Sequence, residues 1–263
     1  MAAVRLPVSG TDVVLRLPNG ADDMLVLEAR APDMGVALVL LARLCEQADG
    51  SPLDPAELPI SDVDALVLRL RQQIIGDVVS AEEVCAAPGC HAHVDITFSI
   101  EAYLEHHQPA APPAFLPAGD EGWYRLSDAE VQFRLPRAAD QLAIARAAAP
   151  EHALLALCVR PPEVPGQVRE RIEAVMEAMA PSLCSELEGR CPQCGERVAA
   201  TFDPIQYMLR ELRDRSALLY EEVSAIAHFN HWSEAEILAL PPARRARYAD
   251  LAVQAAAQER TTA

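Results

Sequence analysis

A chain of 263 residues can bury a sizeable core, and 51% hydrophobic against 23% charged residues is the balance of a globular rather than a disordered protein. Thirty-nine acidic residues face 22 basic ones, and the net charge of -17 repels phosphate backbones and anionic lipid, so neither nucleic acid nor a membrane surface is an expected partner. The opening MAAVRLPVSG lacks the apolar run of a secretory signal, and no stretch reaches the ~18 apolar residues of a membrane span, so a cytoplasmic location is expected.

Residues 5–18 predict a strand pair or an edge strand that ends at Pro18. Two apolar segments of helical length follow, 21–30 and 33–47. The best-defined helix is SDVDALVLRLRQQIIG, with Val63, Leu66, Val67, Leu70 and Ile74 on one face and Arg69, Gln72 and Gln73 opposite. Ser61 with Asp64 offers a capping box at its start, and Gly76 suits its end. A proline-rich segment, 108–122, reads as a stiff linker. Beyond it the pattern returns: Arg134, Leu135, Pro136, Ala139 and Asp140 fall on Arg16, Leu17, Pro18, Ala21 and Asp22 at an offset of 118. Helical segments 138–148 and 150–160 repeat the earlier pair, Cys158 matches Cys45, and VRERIEAVMEAMAP is a third helix stopping before Pro181. After Asp203 and Pro204, a helix start, an apolar stripe runs through one long helix to about residue 229. A short helix capped by Ser233 and Glu236 and a last helix follow, with ERTTA frayed at the end.

Two cysteine loops echo each other. Cys194, Val198, Thr201, Phe202 and Tyr207 fall on Cys90, Val94, Thr97, Phe98 and Tyr103 at an offset of 104. Each has a second cysteine just upstream, Cys191 in Cys-x-x-Cys and Cys85 in Cys-x-x-x-x-Cys, and each precedes a β-prone segment. A loop with two thiolates presents half of a tetrahedral zinc site, so Cys85, Cys90, Cys191 and Cys194 are expected to share one structural Zn2+. A redox pair, or separate sites using His91, His93 or Cys184, are the alternatives. Cys45 and Cys158 lie among leucines and read as small buried hydrophobes, and His106 and His107 as solvated.

No glutamate stands at metalloprotease spacing from a histidine pair, and no Gly-rich phosphate loop or nucleophile elbow is present, so no enzyme and no small-molecule substrate are expected. The aromatics Tyr220, Phe229, Trp232 and Tyr248 read as packing of the last helices or as a docking surface.

The fold class expected is α+β, mainly helical. Residues 1–107 and 123–208 would form two tandem modules, each with strands, helices and a cysteine knuckle; 108–122 would link them, and 209–263 would be a helical tail. The order RLPNG, two helices, then LPISDVDALVLRLRQQIIGDVVS into a cysteine loop resembles the baseplate hub proteins of T-even-like phages and related contractile injection systems. EEVSAIAHFNHWSEAEILALPPARRARY resembles the helical end of such tail-assembly proteins. The resemblance implies a non-enzymatic hub component or assembly factor, with hub or spike proteins as partners and incorporation into a tail-like particle as one fate. A cytoplasmic zinc-ribbon adaptor is the alternative.

Overall fold

The computed structural model describes residues 2–110, 115–120, 122–127 and 130–262. The chain is α+β and mainly helical, with its short antiparallel strands in small separate sheets.

The first copy begins with β1 (Ala2–Arg5), β2 (Asp12–Leu15), α1 (Gly20–Glu28), α2 (Met34–Leu44) and β3 (Cys45–Gln47), and the strands form one sheet in the order β1-β2-β3. α2 is shorter than expected, because Cys45 turns extended and pairs with Leu15. Next come α3 (Ile60–Ile74), the hairpin of β4 (Val78–Val84) with β5 (His93–Ser99), and α4 (Ile100–His106).

The second copy repeats this order after one additional strand. It comprises β6 (Phe115–Pro117), β7 (Trp123–Leu126), β8 (Gln132–Arg134), α5 (Ala138–Ile144), α6 (Pro150–Cys158), β9 (Val159–Arg160), α7 (Gly166–Met179), β10 (Ser185–Arg190) and β11 (Arg197–Phe202). β6 corrects the linker expectation: residues 115–117 add an edge strand to β7, and Phe115 packs edge-on against Tyr124 at 5.3 Å. Residues 111–114 and 121 of that segment lie outside the described residues.

Register defines the equivalences between the copies. Leu15 pairs with Cys45 as Phe133 pairs with Val159, so the counterpart of Cys45 is Val159, and Cys158 matches Leu44. Pro59 and Pro165 both precede the first residue of a helix, which aligns α3 with α7. The duplicated Arg and Asp make the same bidentate pair in both copies. Arg16 donates to Asp22 at 2.7 and 3.2 Å, and Arg134 donates to Asp140 at 2.6 and 2.8 Å. In each, the same carboxylate caps the following helix, accepting from Asn19 N or Arg137 N.

α3 is the centre of the molecule. Val63, Leu66, Val67 and Leu70 face the largest core with Leu40, Leu41 and Leu44 of α2, while Ala65 and Leu68 face a second core of Val79, Ile100, Leu104 and Phe202. The helix starts at Ile60 with Pro59 at its N-cap, so Ser61 is already its second residue. The expected capping box is absent: Ser61 lies inside the helix and donates to the Ala180 carbonyl of the second copy at 3.1 Å. Asp62 instead fastens the β1–β2 turn, accepting from Val8 N and Ser9 N at 2.8 Å each.

The expected long C-terminal helix is two. α8 (Pro204–Arg215) ends where the Ser216 hydroxyl donates back to the Leu212 carbonyl at 2.8 Å, and α9 (Leu219–Asn230) starts after a turn. The apolar stripe serves two cores: Ile205, Met208, Leu209 and Leu212 enter the first copy, while Ile226 packs with Ile237 and Ala249. α10 (Glu234–Leu238) has the Ser233–Glu236 capping box. α11 (Pro242–Thr262) runs through most of the segment expected to fray, and Ala263 lies outside the described residues.

Candidate metal centre

The two cysteine loops close the β4–β5 and β10–β11 hairpins. Alternation along β4, β5, β10 and β11 buries Val79, Val94, Val198, Ala200 and Phe202 and leaves mostly polar and charged residues outside, which holds each hairpin with its loop beyond the sheet end. The strands β4 and β10, each rich in glutamate, were not anticipated in the sequence. Cys85 N donates to Ala92 O at 2.9 Å and Cys191 N to Glu196 O at 2.8 Å, so the unequal spacings are one hairpin closure with a longer turn in the first copy. The residue after the second cysteine is left-handed in both loops, Gly195 at φ 77° and His91 at φ 52°. His91 thus holds the turn position that glycine fills in the other loop, with its side chain exposed.

β4 packs on β11 and β10 on β5, which brings the loops face to face. Cys85 Sγ lies 3.6 Å from Cys194 Sγ, and Cys90 Sγ 3.7 Å from Cys191 Sγ. Each cross pair joins the first cysteine of one loop to the second of the other, as a pseudo-twofold relation requires. All four sulfurs lie within 4.8 Å of one another, and none is in a disulfide. Zn–S bonds of about 2.3 Å in a tetrahedron put sulfurs about 3.8 Å apart. The cross-pair distances match that edge.

Backbone N–H groups help hold negative charge here. The Cys194 N–H, and that of Gln193, lower the Cys191 thiol to about 7. The Ala87 N–H acts in the same direction on Cys85, but burial and the neighbouring sulfurs outweigh it and push that thiol up to about 12. Four sulfurs this crowded resist simultaneous ionisation unless a cation is shared among them. Cys85 and Cys191 are buried, Cys90 is half-buried and Cys194 is exposed at the rim, with Val94 and Val198 packed behind.

Among the described residues, this quartet is the one group of three or more His, Cys, Asp or Glu side chains close enough to ligate a metal ion. His93 is on the outer face of β5, paired with Glu82. Cys184 lies just before β10 and lines a separate cavity. Cys45 and Cys158 are buried as expected, and burial pushes their thiols up to about 12 and about 11. His106 is exposed, whereas His107, expected to be solvated, is half-buried with its ring 4.2 Å from that of Tyr103.

Below the sulfurs the two copies interlock through four aromatics at repeat positions. Phe98 and Phe202 meet edge-on at 5.0 Å, flanked by Tyr103 and Tyr207 at 5.1 and 5.6 Å. Tyr103 OH donates to Leu183 O of the second copy at 2.8 Å, and Tyr207 OH donates to Ser80 O of the first at 2.7 Å. The C-terminal aromatics form their own small group: Trp232 stacks edge-on with Tyr248 at 5.0 Å, and the half-exposed Tyr220 donates to Glu28.

Fold and site together define a duplicated α+β chain whose two halves converge on four thiols able to bind one metal ion. No family model, no curated protein and no solved structure matches it. No helix among the described residues is long and apolar enough to cross a membrane.

Proposed function

We propose that the quartet holds a structural zinc ion that clasps the two copies into one rigid body, and that the protein is a non-enzymatic hub component or assembly factor of a contractile, phage-tail-like machine. The cross-copy sulfur spacing carries the first half of this reading. Thiolate ligands in tetrahedral spacing suit zinc, and with all four positions filled by protein no place is left for water or substrate, so the site lends itself to stability rather than catalysis. The second half rests on the resemblance of RLPNG, LPISDVDALVLRLRQQIIGDVVS and the C-terminal helices to baseplate hub proteins. The acidic surface and the absence of a membrane-spanning helix among the described residues agree with a cytoplasmic assembly role whose partners are hub or spike proteins.

The test is a tagged pull-down from the native host, with the bound proteins identified by mass spectrometry and zinc counted in the same eluate. Hub, spike or baseplate subunits with one zinc per chain are expected. Transcription or metabolic partners in their place would replace the hub reading with a zinc-ribbon adaptor, and a metal-free protein would remove the clasp.

A further inference from the structure

A cavity of about 590 Å³ lies where the two copies meet, away from the sulfur cluster. Its walls come from the start of α2, the first turns of α3 and α6, the C-terminal half of α5, the segment before β10 and the N-terminus of α8. Met34, Ile60, Leu142, Leu154 and Ile205 supply apolar surface. Its charged lining is entirely acidic, Asp33, Asp64, Glu151 and Asp203, with no arginine or histidine among the described lining residues.

The four acids are not equivalent. Asp33 and Asp203 are engaged as helix caps, accepting from Val36 N and Gln206 N at 3.0 Å each. Glu151 is exposed at the rim. Asp64 is 5% exposed and lines the cavity, yet no hydrogen bond or ion pair reaches its carboxyl among the described residues. A buried carboxyl without a partner is costly, and structures retain one where a ligand supplies what is missing. Burial, then the nearby Asp203, pushes the Asp64 carboxyl up to about 8. Asp64 therefore stays largely protonated at neutral pH until a positive charge arrives.

We propose that this cavity is a binding site for an aliphatic ammonium group, which pairs with Asp64 while its hydrocarbon chain lies against Ile60, Leu154 and Ile205. A metal ion fits less well, because Asp64, Asp203 and Cys184 do not converge into a ligating group. The ammonium can come from a free alkylamine or from a lysine side chain of a bound partner. The site is independent of the zinc clasp.

The experiment titrates the zinc-replete full-length protein with n-butylamine, with n-butanol as the neutral isostere, and with N-acetyl-lysine methylamide, by calorimetry at pH 6, 7 and 8. Butylammonium should bind at least tenfold more tightly than butanol. Its apparent affinity should rise severalfold from pH 6 to pH 8, with proton release measurable in buffers of different ionisation enthalpy, because binding ionises Asp64. The facing groups are Asp33, Glu151, Asp203 and Cys184, none of which supplies a competing cation. Asp64→Asn, which keeps size and shape, should lower butylammonium affinity at least tenfold and abolish the proton release. Uptake of the lysine amide as well as butylamine would indicate a partner's side chain, and uptake of butylamine alone a free amine; either supports the site. Equal binding of butanol, absence of amine binding, or an unchanged affinity in a folded Asp64→Asn would overturn the proposal.

Discussion

The two copies share a frame and differ in what covers it. In the first, α8 lies across α1, α2 and α3, and Arg71 of α3 locks it with hydrogen bonds to Glu211 at 2.8 and 2.9 Å. The second copy has α7 where the first has α3, and the residues in line with Val63, Val67 and Arg71 are Arg169, Glu173 and Glu177. Two apolar positions have become charged and the basic lock has become acidic, so a helix like α8 has nothing to pack on. The difference extends to the Arg–Asp frame. Asp22 receives a second arginine, Arg43, at 2.8 Å, whereas the register-equivalent residue in the second copy is Leu157, which is 45% exposed. One copy has become the platform for the C-terminal helices, while the other keeps a small core of its own and meets the first through the thiol cluster and the core around Phe98 and Phe202.

The clasp is where the copies are least separable, so its loss has the largest expected effect. On the zinc reading proposed above, Cys191→Ser, or treatment with a strong chelator, should reduce bound zinc from one per chain to none and lower the melting temperature by on the order of 10 °C. Hydrogen exchange should then speed up in both hairpins together. Protection lost in the second hairpin alone would mean that the loops do not share a metal.

The C-terminal anchor comes next. Arg245 is buried and donates to Asp23 at 2.9 Å and to Glu222 at 2.7 Å, tying α11 and α9 to α1. Gly20 lies under it, where an added Cβ would stand 2.5 Å from Arg245 Nη1. Arg245→Ala leaves Asp23 buried and unpaired, a change that costs about 3–5 kcal/mol. The loss should appear in chemical denaturation, with faster exchange in α1, α9 and α11 and unchanged exchange in α7. Loss of protection in α7 would contradict the one-sided role of the tail.

The cores can be compared directly through Leu66 and Ile172, which are equivalent and both fully buried. Either change to alanine should cost about 2–5 kcal/mol. Leu66→Ala is expected at the upper end, because its core continues into α8 and cannot collapse without moving that helix. Equal costs would mean that α8 adds nothing to the first core.

The smallest effect is in the paired aspartates. Burial opposes ionisation of Asp22, but hydrogen bonds from Arg16, Asn19 N and Arg43 hold its carboxyl below the ordinary value; burial likewise opposes ionisation of Asp140, and Arg134 and Arg137 N hold it below. A folded pKa below the unfolded one stabilises fully above the unfolded value and loses that contribution as pH falls through the folded one. Asp22→Asn and Asp140→Asn should therefore cost about 1.5–3 kcal/mol at pH 7, with Asp22 the larger, and the difference from wild type should shrink below about pH 4. A cost that does not change with pH would place the effect in packing instead.

Much of this was legible along the chain. The duplicated Arg and Asp, the paired cysteines and the repeated aromatics are short-range patterns, and each takes the same local geometry in both copies because duplicated sequence builds duplicated local structure. Elements whose identity depends on distant partners were not legible: β3 and β6 exist because neighbouring strands accept them, and the capping role assigned to Ser61 gave way to a carbonyl of the other copy. Asp64 carried only a faint signal, an acid inside the apolar run SDVDALVL.

By itself, then, the sequence determined an acidic α+β chain, its internal repeat and the four thiols, all set by composition, periodicity and spacing. Only the tertiary structure decided that the thiols converge across the copies, that α8 crosses to the first copy, and that an unpaired acid faces a cavity between the two. Those outcomes depend on how two similar halves pack against each other, and no local pattern encodes which half receives which helix.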